Sequence, residues 1–393
     1  MKKLKIVRVV TASYVVPWHL HNTLNRISDD FEVCVVGQGV TNNQAAYPNV
    51  KFVDIDINRK TSVLADGLAL FHLCRFLRSY KPNIIHSVMP KAGLLSALAG
   101  FICRVPIRLH TFTGQTWVAK AGYSRHFYYW IDRLINALNT ACLTDSFSQS
   151  TFLQEHGITD AGKPLSVLSQ GSLSGVDVSK FDLSRIKNEV QDLKIKLAID
   201  NRHFVFAYIA RKTQAKGALD MLEAFSRIVP DFPHAKLLFV GPDEDGEIAK
   251  LHTTIPDLFA NVIDVGHVTN HEVYLALTDV LCLPSYREGF GSIIIDAAAM
   301  GVPAIGSRIS GLTDSITDLQ TGLLISAGSV DELTVLMKRF ISEPELKDML
   351  GRQAKERVDK FFTADKLYEA LKQYYFEQAK GNLCILRKQG AAR

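Results

Sequence analysis

This sequence predicts two doubly wound α/β units, each a parallel sheet covered on both faces by helices. Three observations lead there. Short apolar, β-branched runs alternate with longer stretches of helical period along almost the whole chain. The alternation pauses around residues 171–177 and then begins again. Finally, 393 residues exceed what one core usually holds and suit two.

In the first half, residues 5–10, 32–36, 50–54, 83–86, 108–112 and 140–145 read as strands. Helices are expected at 20–27, 61–80, 125–139 and 149–157. Leu64, Leu68, Phe71, Leu73, Phe76 and Leu77 give the second its period, and Gly157 closes the last. The second half repeats the scheme, with strands at 203–209, 235–240, 262–265, 280–283, 304–306 and 322–325. Its helices fall at 219–228, 273–278, 292–300, 330–341 and 343–361, and a final helix at 364–378. The tail beyond Gly381, with Arg387, Lys388 and Arg393, is expected to be mobile. The expected domains are 1–175 and 176–363, with the C-terminal helix of about 364–393 kept apart from the second. Ligands of open α/β sheets bind beyond the carboxyl ends of the strands, so a cleft between the two units is the expected site.

Hydrophobic content of 47 % and charged content of 22 % fit a folded soluble protein. Cysteines 34, 74, 103, 142, 282 and 384 are scattered without a CxxC pair, as small core residues of a reducing compartment would be. The 12 histidines show no metal-ligand spacing beyond the weak pair His19 and His21, so no metal is expected. Lys5 and Arg8 interrupt the first apolar stretch, which reads as a strand and not as a signal peptide. The longest apolar run, 92–103, has 12 residues and is too short to span a bilayer. A cytoplasmic protein is expected, with peripheral contact at the inner face of the plasma membrane as a further expectation.

The net charge of +5 hides an asymmetry. Residues 1–175 hold 18 lysines and arginines against 10 acids, and the remainder 27 against 30. A basic first half suits an anionic partner, either anionic lipid headgroups or a lipid diphosphate, although solvated surface charge explains the count as well. Nucleic acid is excluded as the partner, because no recognition motif or aromatic-interleaved basic run is present. Helix 125–139 carries Phe127, Tyr128, Trp130, Ile131, Leu134, Ile135 and Leu138, read as core, with a basic-aromatic surface resting on a membrane as the alternative. No G-x-G-x-x-G or P-loop pattern occurs, which argues against NAD and ATP.

The densest chemistry lies in residues 288–303, EGFGSIIIDAAAMGVP. A buried strand ends at Pro284, a glycine turn follows at Gly289, Phe290 and Gly291, and a helix begins. A helix start offers free backbone N–H groups and a partial positive charge, which suits a phosphate. Glu288 stands on the loop and Asp296 about a turn into the helix, so both can face one cleft. Asp296 lies among Ile293, Ile294, Ile295 and Ala297, too apolar a setting for a solvated acid. A carboxylate there needs a hydrogen-bonding partner, and a ligand hydroxyl would serve. Arg211 and Lys216, in ARKTQAKG at 210–217, also follow a strand and precede a helix, with Lys212 beside them.

This segment resembles the E-x7-E signature of the family 4 retaining glycosyltransferases, which have the GT-B fold, and the resemblance extends over most of the chain, most closely at about 203–345. It implies that Glu288 contacts the donor sugar, that the amides of Gly289, Phe290 and Gly291 hold the donor near its diphosphate, and that Asp296 binds the ribose hydroxyls. Here the second acid is one methylene shorter than the family's. Arg211 and Lys216 match the family's Arg…Lys-Gly pair, at the same spacing, which binds the diphosphate without a metal or cofactor. Val268 matches a site whose backbone holds the base. His110 is similar in position to a histidine near donor sugar and acceptor. His86 and Lys91, in HSVMPKAG, look like an acceptor-side element of bacterial polysaccharide members. Residues 171–177, GSLSGVD, resemble the N-G-V-D stretch at the domain junction, with Ser174 in place of the asparagine, and the usual glycine pair of the first βα loop is replaced by Ser13-Tyr-Val-Val-Pro17. The C-terminal helix would return to the first domain. The implied catalytic residues are thus Glu288, His110, Arg211 and Lys216. The implied reaction moves a sugar from a nucleotide donor, expected to be UDP-linked, onto a growing glycan that is polyprenyl-diphosphate-linked, in O-antigen or capsule synthesis. A decayed nucleotide-binding subunit and a nucleotide-sugar 2-epimerase remain as rival readings.

Overall fold

The structure is a computed structural model that describes residues 3–58, 62–160, 163 and 165–390, with side chains as far as Gly381, Ala119 excepted. The chain divides into two compact units, residues 1–175 with 364–393, and residues 176–363.

In the first unit the order is β1 (Lys5–Ala12), α1 (His21–Asp30), β2 (Glu32–Gln38), β3 (Lys51–Asp54), α2 (Val63–Tyr80), β4 (Ile84–Val88), α3 (Pro90–Ile102), β5 (Ile107–Phe112), α4 (Gly122–Leu138), β6 (Ala141–Thr144), α5 (Phe147–Glu155) and β7 (Ser166–Val167). The second unit runs α6 (Leu183–Lys196), β8 (Phe204–Ile209), α7 (Ala218–Ile228), β9 (Ala235–Val240), α8 (Glu247–Thr254), β10 (Val262–Val265), α9 (His271–Leu275), β11 (Val280–Leu283), α10 (Ser292–Ala299), β12 (Ala304–Ser307), α11 (Leu312–Ser315), β13 (Gly322–Ile325), α12 (Val330–Ser342) and α13 (Pro344–Phe361). Helix α14 (Ala364–Gly390) belongs to the first unit. It runs past the expected end at 378, so residues 382–390 continue it as helix. The rest of the expected mobile tail, 391–393, lies outside the described residues, as do the side chains of Arg387, Lys388 and Cys384.

Both sheets are parallel, in the orders β3-β2-β1-β4-β5-β6-β7 and β10-β9-β8-β11-β12-β13. In each the strand order reverses direction once, between β1 and β4 and between β8 and β11, and connections there diverge to opposite faces. Side-chain alternation along β1 sorts its residues between the two layers. Ile6 and Val10 join the core under α1 and α14, with Leu371 and Tyr375. Val7 and Val9 join the core under α2 and α3. In the second unit Val205 and Ala207 face one layer and Phe206 and Tyr208 the other.

The run 92–103, too short to span a bilayer, forms the greater part of α3, which is buried except at its end, where Phe101 and Ile102 are exposed. Helices α6 and α8, both polar, and the two-residue strand β7 were not anticipated. The core reading of helix 125–139 holds for Ile135, but Phe127, Trp130 and Leu134 are exposed, Trp130 by 59 %. The cysteines at 34, 74, 142 and 282 are buried, and no disulfide joins the described ones. Among the described residues no helix is long and apolar enough to cross a membrane.

Helix α14 is held by its apolar face. Leu371→Ala should therefore cost about 2–5 kcal/mol, seen as a lower urea midpoint for the first unit. A loss below about 1 kcal/mol would mean that α14 contributes little to that core.

Candidate functional site

The loops leaving β8 and β11 flank the point where the second sheet's strand order reverses, and backbone contacts press them together. The amide of Tyr286 donates to the carbonyl of Ala215 at 3.0 Å. Gly217, with φ +68°, starts α7 so close to the other loop that a Cβ would lie 2.1 Å from the Pro284 oxygen. No other residue type fits there without moving one loop. Gly291, at φ +75°, caps α10 in the same way, and a Cβ on Gly311 would come within 2.4 Å of the Gly289 oxygen. Two helix starts, of α7 and α10, thus converge.

The charged side chains gather on this frame. Lys216 Nζ lies 2.5 Å from Glu288 Oε1, and Ser285 Oγ donates to the same oxygen at 3.0 Å. Arg211 Nη1 donates to Glu244 at 2.8 Å, and the Tyr208 hydroxyl fixes the Arg211 carbonyl at 2.8 Å. Lys212 is turned away and buried, pairing with Asp264 and donating to the Val265 carbonyl. Arg287 is half-buried between Glu288 and Arg211, and burial pushes its guanidinium below the usual arginine range. Asp296 faces His271, whose Nε2 is 3.2 Å from Oδ2. Val268 packs on the neighbouring core. The structure therefore brings together Arg211, Lys216, Glu288 and the glycine turn. It adds Glu244, Ser285, Arg287 and His271, none of which the sequence reading singled out. Glu244 stands on the loop after β9 and His271 at the start of α9, and no spacing ties them to the motif.

In the first unit the candidate histidines lie on opposite faces of the sheet. His110 and Ser87 are register partners, and the Ser87 hydroxyl is 2.9 Å from His110 Nδ1. Gly93 on α3 admits the imidazole, because a Cβ there would lie 2.4 Å from its Cε1. His86 points to the other layer, Nδ1 2.7 Å from the Tyr375 hydroxyl and Nε2 2.8 Å from Thr111 Oγ1, so both ring nitrogens are engaged. Lys91 pairs with Asp66 at 2.7 Å. Before it, Met89 holds φ +76°, a conformation costly for a residue with a Cβ. Gly171, Ser172 and Gly175, at the junction, also have positive φ.

The family description "Glycosyl transferases group 1" matches residues 189–357, and "Glycosyl transferase 4-like domain" matches residues 18–163. The chain belongs to the family 4 glycosyltransferases. A capsular polysaccharide biosynthesis glycosyltransferase of Staphylococcus aureus is 27 % identical over 379 residues, 95 % of this chain and 97 % of its own. The Escherichia coli UDP-Gal:alpha-D-GlcNAc-diphosphoundecaprenol alpha-1,3-galactosyltransferase is 24 % identical over 326 residues, 81 % of each chain. Among solved structures, an Anabaena protein in complex with UDP and glucose superimposes with a TM-score of 0.79 at 17 % identity, covering 95 % of this chain and all of its own. That likeness is one of fold, and the fold of this glycosyltransferase is GT-B.

Burial pushes His110 down to about 3, from an ordinary 6.5. The sign follows. Below pH 6.5 the unfolded chain takes up a proton that the folded one refuses until about pH 3, so stability is lost as pH falls through that window. Asp132, pushed up to about 7 by burial, works the opposite way between about 7 and 3.8. The stability of the wild type relative to His110→Gln should thus fall by roughly 1.4 kcal/mol per pH unit from pH 6 to 4. A pH-independent difference in denaturant midpoints would show that His110 does not titrate in this way.

Proposed function

We propose that this protein is a retaining, metal-independent glycosyltransferase that moves a sugar from a UDP-linked donor to a lipid-linked glycan in bacterial surface-polysaccharide synthesis. The observation that carries the reading is the convergence of Arg211, Lys216 and Glu288 with the glycine turn and the start of α10, at the strand-order reversal of the second sheet. The relatives' capsular and diphosphoundecaprenol-linked activities support the substrate class.

In this reading Arg211 and Lys216 hold the diphosphate and offset the charge that builds on it as the glycosidic bond breaks. The amides of Gly289, Phe290 and Gly291 add donors, Glu288 holds the sugar, Asp296 takes the ribose diol and Val268 positions the base through its backbone. His271 fixes the shorter carboxylate. The acceptor hydroxyl attacks the anomeric carbon on the face the leaving group departs from. Its proton passes to the departing phosphate oxygen, and UDP leaves. His110, neutral down to about pH 3, serves as a hydrogen-bonding partner to sugar or acceptor and not as a proton store. His86 and Lys91 stand on the acceptor side, His86 shaping it from behind the sheet.

The acceptor lipid calls for a membrane surface, and α4 offers one. Tyr123, Phe127, Trp130 and Leu134 are exposed along it. Arg133 lies over the Trp130 ring at 5.1 Å. The only acid of α4, Asp132, is buried and accepts the Trp117 indole N–H at 2.9 Å, so this outer face has cations and aromatics without a carboxylate, as an anionic bilayer would favour. Flotation with vesicles containing phosphatidylglycerol should carry the wild type and leave Phe127→Ala/Trp130→Ala in solution. Equal flotation of both would remove α4 from the reading.

Thermal-shift measurements with UDP, GDP, TDP and ADP, without and with magnesium, test the donor site. UDP should raise Tm without metal, and Arg211→Ala should weaken its binding roughly ten- to hundredfold. Because Glu244 occupies Arg211 at a half-exposed pair, Glu244→Gln should tighten UDP two- to fivefold, on the order of an exposed ion pair. No shift with any nucleotide would overturn the transferase reading. Binding without transfer would favour a decayed subunit, and turnover of UDP-sugar alone a 2-epimerase.

A further inference from the structure

Strand β1 places Ile6, Arg8 and Val10 on the layer covered by α1 and α14. Ile6 and Val10 fill core positions, yet the residue between them is a cation, only 5 % exposed. Its register neighbour on β4 is His86. Arg8 Nη1 donates to the Tyr375 hydroxyl at 3.0 Å, and Nε has no partner. Among the described residues no carboxylate comes within 4.0 Å of the guanidinium. Burial raises the Tyr375 phenol and lowers His86, so both neighbours are neutral and neither offsets the charge. A buried ion without a counter-ion is costly, and water can solvate it without balancing it.

Beside Arg8 lies a small cavity whose polar lining is Thr23, Thr111, Thr144, Ser172 and His86, the rest being five leucines. Thr111 and Thr144 stand at the carboxyl ends of β5 and β6, where parallel sheets receive ligands. The Thr23 and Thr144 hydroxyls give their protons to the carbonyls of Leu20 and Ser146, while Ser172 Oγ accepts from the amides of Ser174 and Gly175. The Tyr375 hydroxyl accepts from Arg8 and donates to His86 Nδ1, so His86 Nε2 donates to Thr111. The O–H groups of Thr111 and Ser172 and the Arg8 Nε–H are therefore the donors left for an anion, with no acid among the lining residues.

We propose that this cavity is a binding site for a small inorganic anion, a halide or small oxyanion, which neutralises Arg8 and seats α14 on the first sheet. The anion bridges the Arg8 guanidinium and the hydroxyls of Thr111 and Ser172. The proposal is independent of the donor site, which lies in the other unit.

Thermal unfolding in sodium chloride, bromide, nitrate or phosphate is compared with sodium gluconate, too large for the cavity, at one ionic strength. At 100 mM, at least one small anion should raise Tm by about 2–4 °C over gluconate. Arg8→Met, of similar length and uncharged, should lose that rise and in gluconate be at least as stable as the wild type. The same rise in both proteins, or none in the wild type, would overturn the proposal. A bromide soak of wild-type crystals needs no variant. Anomalous density against the Arg8 guanidinium supports the site, and bromide ordered only elsewhere rejects it.

Discussion

The start of α7 touches the carbonyl of Pro284, and much of the chemistry depends on that backbone contact. It exists because the sheet order reverses between β8 and β11, which pair as neighbours, so that the loops leaving them emerge side by side although their helices pack on opposite layers. It is permitted because residue 217 has no Cβ, which would otherwise meet that oxygen at 2.1 Å. Once the loops are joined, by this contact and by the Tyr286 amide on Ala215, Lys216 has little choice but to meet Glu288. Seventy-two residues of sequence separate the two, and no local propensity could pair them.

Three of the cations so gathered are paired. Lys216 has Glu288, Arg211 has Glu244 and Lys212 has Asp264, while Asp296 lies against His271 Nε2. The pairs differ in how readily they open. Lys212 with Asp264 ties a loop to the edge strand β10, and Lys212 is buried, so parting it would strand an ion. Arg211 with Glu244 joins two half-exposed side chains, and such a pair is worth little in water. On the proposed reading, a donor diphosphate would meet a cation that can change partners cheaply, set beside another that cannot. Neighbouring residues 211 and 212 are chemically alike, and burial alone divides their work.

The strands and the paired-loop motif were legible because they rest on local signals. Apolar runs of four to six residues mark buried parallel strands, and glycine between a strand and an apolar helix marks a phosphate-suited turn. What stayed hidden shows where local signals stop. Helix α3 lacks a polar face, since α2, α4 and the sheet surround it, so its period gave nothing to read. Helix α6 is the reverse case, mostly polar with only Ile186 and Leu193 buried. On α4 the period was visible but not its sense, because an aromatic stripe looks the same whether it meets a core or solvent. Glu244 comes from the loop after β9 and His271 from the start of α9, and neither carries a spacing signal.

The two histidines of the first unit make the same point about side-chain parity. His86 and Ser87 are adjacent, so they must point to opposite layers. Register then passes the choice to β5, where Ser87 pairs with His110. His110 therefore shares a layer with Ser87 and needs Gly93 to make room. His86 shares the other layer with Arg8, and Tyr375 bonds to both. A sequence that places two histidines at the ends of neighbouring strands suggests a single site. The pleat denies it, and assigns one to α3's side and the other to the seam under α14. The cation of that seam, Arg8, sits where packing alone would favour a valine. A charge in a core is costly unless something meets it, and among the described residues no carboxylate of this layer comes within 4.0 Å of it.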